Sequence, residues 1–285
     1  MRLLFLGTAA SEGFPDAFCD CDNCRRAREL GGPSLRKRSS ALIDGRLLID
    51  LGPDLMVAAM VHGISLAKVD LCLQTHEHAD HLDPTNFMHR SRFCGVSGNP
   101  RLRYFASRGA HARLAAGLGR RVGPEGLLAP EAGEAFEVEA HVVEPFRTFA
   151  VGPYRVTSVA AFHDPEHLTA LLYVIERDGR TLFYATDTGE LPEESWRALR
   201  EGGHRFDVVA MDHTFGFQAQ ARGHMNAEQF GRQLARMRAE GMLNEGGRVF
   251  AHHLAHHSHP PHPELSELVG ARGYEVAYDG LAIDV

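Results

Sequence analysis

The chain has 285 residues, 44% of them hydrophobic and 24% charged, the balance of a globular protein with a sizeable core. Its net charge of −7 argues against a polyanion as the main partner, because nucleic-acid binders usually present a basic face. No run approaches the roughly 18 apolar residues a membrane span needs, and the apolar part of the opening Met-Arg-Leu-Leu-Phe-Leu-Gly-Thr is too short for a signal-peptide core, so a cytoplasmic location is expected.

The first predicted strand, 2–6, ends in a Gly turn. It leads to Cys19, Cys21 and Cys24, three of the five cysteines within six positions. In a reducing compartment such clustering points to metal rather than to a disulfide, although three thiolates leave a tetrahedral zinc site one ligand short. Arg36-Lys37-Arg38 reads as a solvated basic run. Strands 41–43 and 46–49 flank Asp44-Gly45, a hairpin signal, and Asp50 closes the second of them. Strand 71–74, with Cys72 as a core residue, then runs directly into Thr75-His76-Glu77-His78-Ala79-Asp80-His81. Alternate side chains of an extended segment share a side, so His76 and His78 can grip one ion together. Asp80 and His81 follow where the chain turns and can face a second ion. Imidazole and carboxylate suit Zn²⁺, Mn²⁺ or Fe²⁺, and about three protein ligands leave positions open for water and substrate.

Segment 83–150 is Gly-, Arg- and Ala-rich and, apart from a strand at 103–106, irregular; it is expected to be an insertion over the site. Cys94 within it has no assigned role. Strand 154–161 is followed by His163. Strands 170–176 and 181–185 flank Asp178-Gly179, a second hairpin signal, and Asp187 follows the latter strand. A helix at 194–200 precedes strand 206–211, beyond which His213 lies close enough to the site to be ambiguous. A helix at 227–240 takes Asn226 as its N-cap. Strand 248–251 ends in His252-His253. Six of the 18 histidines fall between His252 and His262, and His257, His259 and His262, in a Pro-rich stretch, are expected at the surface. Strands 275–277 and 281–283 flank Asp279-Gly280, which reads as a third hairpin. Mixed hairpins and helices without a repeat or a long linker fit one α/β layered sandwich. Taken singly, Asp50 and Asp187 could be turn residues and His163 a strand-end cap. Together they share one placement, just past the end of a strand, and would converge on one cleft.

The pattern His76-x-His78-x-Asp80-His81 with His163, Asp187 and His253 resembles the ligand set of the metallo-β-lactamase superfamily. More narrowly, the chain is similar to the PhnP-type phosphoribosyl cyclic phosphate phosphodiesterases. The similar segments are the opening Leu-Gly-Thr-Ala-Ala, Cys19-x-Cys21-x-x-Cys24, the histidine motif, Asp187, Arg222-Gly223-His224, His253-Leu-Ala-His256 and Tyr278-Asp279-Gly280. Gly13-Phe14-Pro15 also resembles the pyrroloquinoline-quinone biosynthesis protein B, a relative whose histidine motif is degraded where this one is intact. The resemblance implies an αββα sandwich over 1–285 and two divalent ions, Zn²⁺ or Mn²⁺. It gives His76, His78 and His163 to one ion, Asp80, His81 and His253 to the other, and Asp187 as the bridge, with His253 chosen over His252 by alignment. It further implies that Asp50 orients a ligand imidazole, that His256 completes a structural Zn²⁺ site with the three cysteines, and that Asp80 and His224 are catalytic, His224 as proton donor. The activity implied is hydrolysis of a small cyclic phosphodiester by a hydroxide between the metals. The alternatives are a carboxylic ester or lactone hydrolase of the same fold and a non-catalytic metal-binding protein of a cofactor pathway. A small phosphodiester is the expected partner, with no nucleic acid and no membrane; a homodimer is left open.

Overall fold

Most strands of this chain are apolar on both faces, and the two faces serve different cores. Leu3, Phe5, Ile43, Leu47, Ile49, Leu71 and Leu73 point into one buried cluster, while Leu6, Leu42, Leu48 and Cys72 point into another. The same two-residue period places Tyr173, Ile175, Leu182, Tyr184 and Phe250 in the first cluster and Leu172, Val174, Phe183, Val209 and Val249 in a third. A strand buried on both faces must lie in a covered sheet. In the computed structural model, which describes residues 1–219 and 222–285, there are two such sheets packed face to face.

The first sheet holds β1 (Arg2–Gly7), β2 (Ser40–Ile43), β3 (Leu47–Ile49), β4 (Leu71–Leu73), β5 (Leu102–Ala106) and β6 (Val138–Val142) in that order, with the last strand of the chain, β14 (Ala282–Asp284), beyond β1. The second runs from β7 (Thr148–Val151) through β8 (Tyr154–Ala160), β9 (Leu171–Arg177), β10 (Arg180–Ala185), β11 (Phe206–Asp212) and β12 (Leu243–His252) to β13 (Glu275–Val276). The shared core lies between them. Helices α2 (Leu55–His62), α3 (Thr85–His89), α4 (Arg108–Leu118) and α5 (Pro130–Ala135) cover the outer face of the first sheet through Leu55, Phe87, Leu114 and Ala132. Helices α6 (Glu193–Glu201), α7 (Ala227–Ala239) and α8 (His262–Gly270) cover the second through Trp196, Phe230, Leu234 and Leu265. Helix α1 (Asp22–Leu30) packs Ala27 with Ala9 and Phe14. The layering is the expected αββα sandwich. None of the helices described is long and apolar enough to cross a membrane.

Two predicted hairpins form: β2 pairs with β3 and β9 with β10, both antiparallel. The third does not. β13 pairs with β12 in the second sheet and β14 with β1 in the first, so Asp279-Gly280 carries the chain from one sheet to the other. Asp279 is held there by the Thr8 hydroxyl and the Lys37 backbone N–H, which only tertiary contact could supply. Asn226 caps α7 in a full capping box with Gln229, as its position predicts. Segment 83–150 supplies β5 and β6, which extend the first sheet in parallel from β4, and the helices α3, α4 and α5 over it.

β3, β4, β10, β11 and β12 each have a parallel partner, and β1 and β8, two antiparallel steps from β3 and β10, run the same way. Their carboxyl ends therefore open on one edge of the sandwich, the usual place for a site in an open α/β sheet.

Candidate metal centre and active site

The residues that leave those strand ends come together. Asp50 follows β3, the 76–81 segment follows β4, His163 follows β8, Asp187 follows β10, and His253 follows β12. Asp50, Asp187 and His253 adopt left-handed backbone conformations, with φ of 66°, 57° and 59°. Non-glycine residues seldom do so, and such positions concentrate at functional sites. Here the conformation turns the chain sharply at the sheet edge and aims the side chain back into the cleft.

Two donor sets result. His76, His78, His163 and Asp187 form one and Asp80, His81, Asp187 and His253 the other, each with its donor atoms within 4.8 Å of one another. Asp187 is common to both. Its Oδ2 lies 3.2 Å from His76 Nε2, 2.8 Å from His81 Nε2 and 3.4 Å from His253 Nε2. Asp80 Oδ2 is 3.3 Å from His81 Nε2 and 3.8 Å from His253 Nε2. His163 Nε2 is 3.1 Å from His78 Nδ1. Two buried atoms at the centre, His76 Nε2 and Asp187 Oδ1, make no aligned hydrogen bond, although Asp187 Oδ2 stands 3.2 Å from the first and His224 Nδ1 3.1 Å from the second. Orphaned polar atoms are costly in a protein interior unless something satisfies them. Imidazole and carboxylate donors converging in a buried cleft fit a pair of divalent ions.

The backs of these imidazoles are fixed. His81 Nδ1 lies 2.7 Å from Asp50 Oδ2, and Asp50, fully buried, also accepts from Thr75 N (2.7 Å), Thr75 Oγ1 and Gln74 Nε2 (2.9 Å). Burial pushes the Asp50 carboxyl up, against the pull of His81 and these donors. His163 Nδ1 is 3.1 Å from the Gly223 carbonyl and His253 Nδ1 is 2.8 Å from Thr214 Oγ1. With one ring nitrogen donating away, the other is left as an acceptor facing the centre. The His252-His253 pair is separated by its geometry: His253 faces the cluster, while His252 packs against Phe5 and Tyr184 in the core.

His224 stands at the rim, its side chain 20% exposed, with Nδ1 3.1 Å from Asp187 Oδ1 and 3.0 Å from Asp212 Oδ2. Burial lowers its pKa, but Asp212, Asp187 and Asp80 together raise it to about 9. Asp212, at the end of β11, escaped the sequence reading although it obeys the same strand-end rule as Asp187. It accepts from the backbone N–H groups of Thr214 and Met225 (3.0 and 2.9 Å) and from Thr214 Oγ1, so its orientation is set before His224 meets it.

The cysteine cluster also closes. Cys19, Cys21, Cys24 and His256 form a separate donor set, with His256 Nδ1 3.3 Å from Cys24 Sγ and 3.9 Å from Cys21 Sγ. Burial would raise the Cys21 thiol, yet the Cys24 N–H and the His256 side chain bring it below its ordinary value. The other His256 nitrogen faces Asp16 Oδ2 at 3.4 Å. Only Leu254 and Ala255 separate this cluster from His253.

Several residues set aside in the sequence are not at the surface. Arg36 is 4% exposed, donating to Thr8 Oγ1 (2.8 Å) and to the Ala277 carbonyl, and burial brings its pKa down to about 10. Lys37 pairs with Asp279 and Arg38 with Asp54. The basic run is thus a clamp that ties the N-terminal loop to both sheets. His259 is also fully buried, bonded to His213 (3.0 Å) and to the Ala255 carbonyl (2.8 Å), and His213 continues to Tyr274 Oη at 2.9 Å. These groups back the 253–256 loop and do not enter the centre. His262 is half-buried, against Arg36, whereas His257 is exposed. Cys72 is core and Cys94 is exposed.

A family model described as a beta-lactamase superfamily domain matches residues 45–245. Among curated proteins, the coenzyme PQQ synthesis protein B of Methylococcus capsulatus is 25% identical over 99% of both chains. An octanoyltransferase of Porphyromonas gingivalis is 38% identical over 86 residues, and the match spans 29% of this chain and only 16% of that protein. Among solved structures, a diphosphatase from the PhnP family superposes with a TM-score of 0.74 at 23% identity, covering 100% of this chain and 97% of that one. Zn²⁺-bound PqqB from Methylobacterium extorquens gives 0.74 at 21% identity with full coverage of both. At these identities the structural likeness establishes the fold.

Proposed function

The chain belongs to the beta-lactamase superfamily, and on that premise we propose that it is a two-metal hydrolase acting on a small, cyclic phosphodiester. The observation that carries this reading is the pair of donor sets sharing Asp187, with His224 at their rim in a further grouping of Asp187, Asp212, His224 and His253, where its Nδ1 faces Asp212 Oδ2 at 3.0 Å. In this reading His76, His78 and His163 would hold one divalent ion and Asp80, His81 and His253 the other, with Asp187 common to both donor sets. The ions, when bound, activate water and polarise the bond under attack. The remaining chemistry falls to side chains. Asp50, Thr214 and the Gly223 carbonyl keep the imidazole tautomers in place. His224, steered by Asp212, holds the proton that the departing alkoxide requires. Cys19, Cys21, Cys24 and His256 hold a structural zinc, pinning the N-terminal loop beside His253.

The test is a comparison of kcat/KM for bis(p-nitrophenyl) phosphate and ribose cyclic phosphates with that for acyl lactones, on protein loaded with Zn²⁺ or Mn²⁺. A phosphodiester preference supports the assignment. A lactone preference by several orders of magnitude overturns it. A second reading, a cofactor-pathway protein without turnover, draws on the end-to-end similarity to the PQQ synthesis protein. Full metal occupancy with no hydrolysis of either substrate class would favour it.

A further inference from the structure

Between His163 and the end of β8 stands Phe162, an aromatic ring 42% exposed beside a buried metal-site histidine. Its backbone is held on both sides: its N–H donates to Thr188 Oγ1 at 2.9 Å, and its carbonyl accepts from Gly189 N at 2.9 Å. The ring itself rests on Gly189. A Cβ built at that position would lie 2.9 Å from Phe162 Cδ1, so any side chain there would displace the ring. The chain thus fixes a large apolar face in the open when the hydrophobic effect favours burying it. Phe162, Gly189, Arg222, Gly223 and His224 line one cavity of 330 Å³. Of the eight residues that line it, Gly189 accommodates the ring, Gly223 leaves room because an added Cβ would meet nothing nearer than His163 Nδ1 at 3.9 Å, and Glu190 is neutralised by Arg232 at 2.8 Å. The volume falls near the lower end of small-molecule sites, roughly 300–1,000 Å³, enough for one ring system rather than a polymer segment.

We propose that Phe162 is a stacking platform and the specificity-determining residue for the organic part of the substrate, which carries a planar aromatic or heterocyclic ring. The inference rests on the phosphodiesterase reading, because it places the phosphoryl group at the metals and the ring in the adjoining cavity. An aromatic face recognises a flat ring with little demand on its hydrogen-bonding pattern. Arg222, a planar cation on the same cavity, can flank such a ring or meet its polar edge.

The test uses two ribose 2,3-cyclic phosphates with the same scissile bond, one carrying a heterocyclic base at C1 and the other a methoxy group. The metal-loaded wild-type protein should prefer the base-bearing substrate. Phe162→Ala should cut kcat/KM for that substrate about tenfold to a hundredfold more than for the other, the span of aromatic–base stacking, with most of the change in KM. Phe162→Tyr should restore the preference. A separate readout is binding of a 2-aminopurine riboside phosphate, whose fluorescence should be quenched by wild type and Phe162→Tyr and not by Phe162→Ala. Equal losses on both substrates with unaltered quenching would overturn the platform while leaving the phosphodiesterase reading intact. Turnover of neither substrate by wild type, with bis(p-nitrophenyl) phosphate also untouched, would overturn the phosphodiesterase reading itself.

Discussion

Replacing Asp50 with Asn separates charge and orientation from shape at a residue that belongs to none of the donor sets. Asparagine tolerates the left-handed backbone Asp50 adopts, so the loop can keep its φ of 66°. The carboxylate divides its work between two oxygens. Oδ1 accepts from Thr75 N and Gln74 Nε2 at 2.7 and 2.9 Å, while Oδ2 takes His81 Nδ1 at 2.7 Å. Both Oδ1 partners are obligate donors, so the amide oxygen of the substituted side chain must occupy that side. Its NH₂ then faces His81 Nδ1, and two donors meet unless His81 moves its proton to Nε2. That atom is the one facing Asp187 at 2.8 Å and Asp80 at 3.3 Å. The imidazole is then protonated where it should ligate. Losing an orienting partner of this kind costs about 10–100-fold in metal affinity, or about 1.4–2.7 kcal/mol. A competitive titration of Asp50→Asn against a chromophoric chelator should show that loss for one ion of the pair and much less for the other, since Asp50 does not touch the His76–His78–His163 set. Wild-type affinity for both ions, with the His81 Nδ1–H signal unchanged in a ¹⁵N-edited spectrum, would refute the reasoning.

His224→Ala should retain both active-site metals while kcat falls by about two orders of magnitude, less for a p-nitrophenolate leaving group that needs little protonation; equal losses for good and poor leaving groups would deny His224 the donor role. Cys21→Ser should release one chelator-resistant zinc per chain and lower the melting temperature, because structural zinc contributes folding free energy; unchanged zinc content by elemental analysis would dissolve that site. Asp54 gives a pH test outside the centre: burial raises its carboxyl, but the Arg38 guanidinium, 2.6 Å away, brings it below its ordinary range. A folded pKa below the unfolded one contributes stability above about pH 4 and loses it as pH falls through the folded value, so Asp54→Asn should flatten the acid limb of the denaturation profile, and an identical limb would contradict the pairing.

The histidine motif, the strand-end positions of Asp50, His163, Asp187 and His253, and most of the strands were legible in the residues. Ligand spacing within 76–81 is local, and a strand buried on both faces shows itself as a short apolar run bounded by turn residues. The same locality explains the misses. β6 and β7 are short, have partly exposed faces and lack such a run of buried residues, so pattern alone did not reveal them. Asp279-Gly280 has the composition of a hairpin turn, yet its flanking strands found partners in different sheets. Arg36 and His259 look like solvent-exposed polar residues until the Ala277 carbonyl and the His213 imidazole, both distant in sequence, meet them. Asp212 became recognisable only when β11 was seen to end beside β10, because a carboxylate acquires its role from the histidine it meets, 12 residues away along the chain and 3.0 Å away in space. Sequence by itself determined which side chains could bind metal and where strands would deliver them. The pairing of two sheets decided which of those deliveries share an edge, since convergence depends on long-range packing that no local spacing encodes.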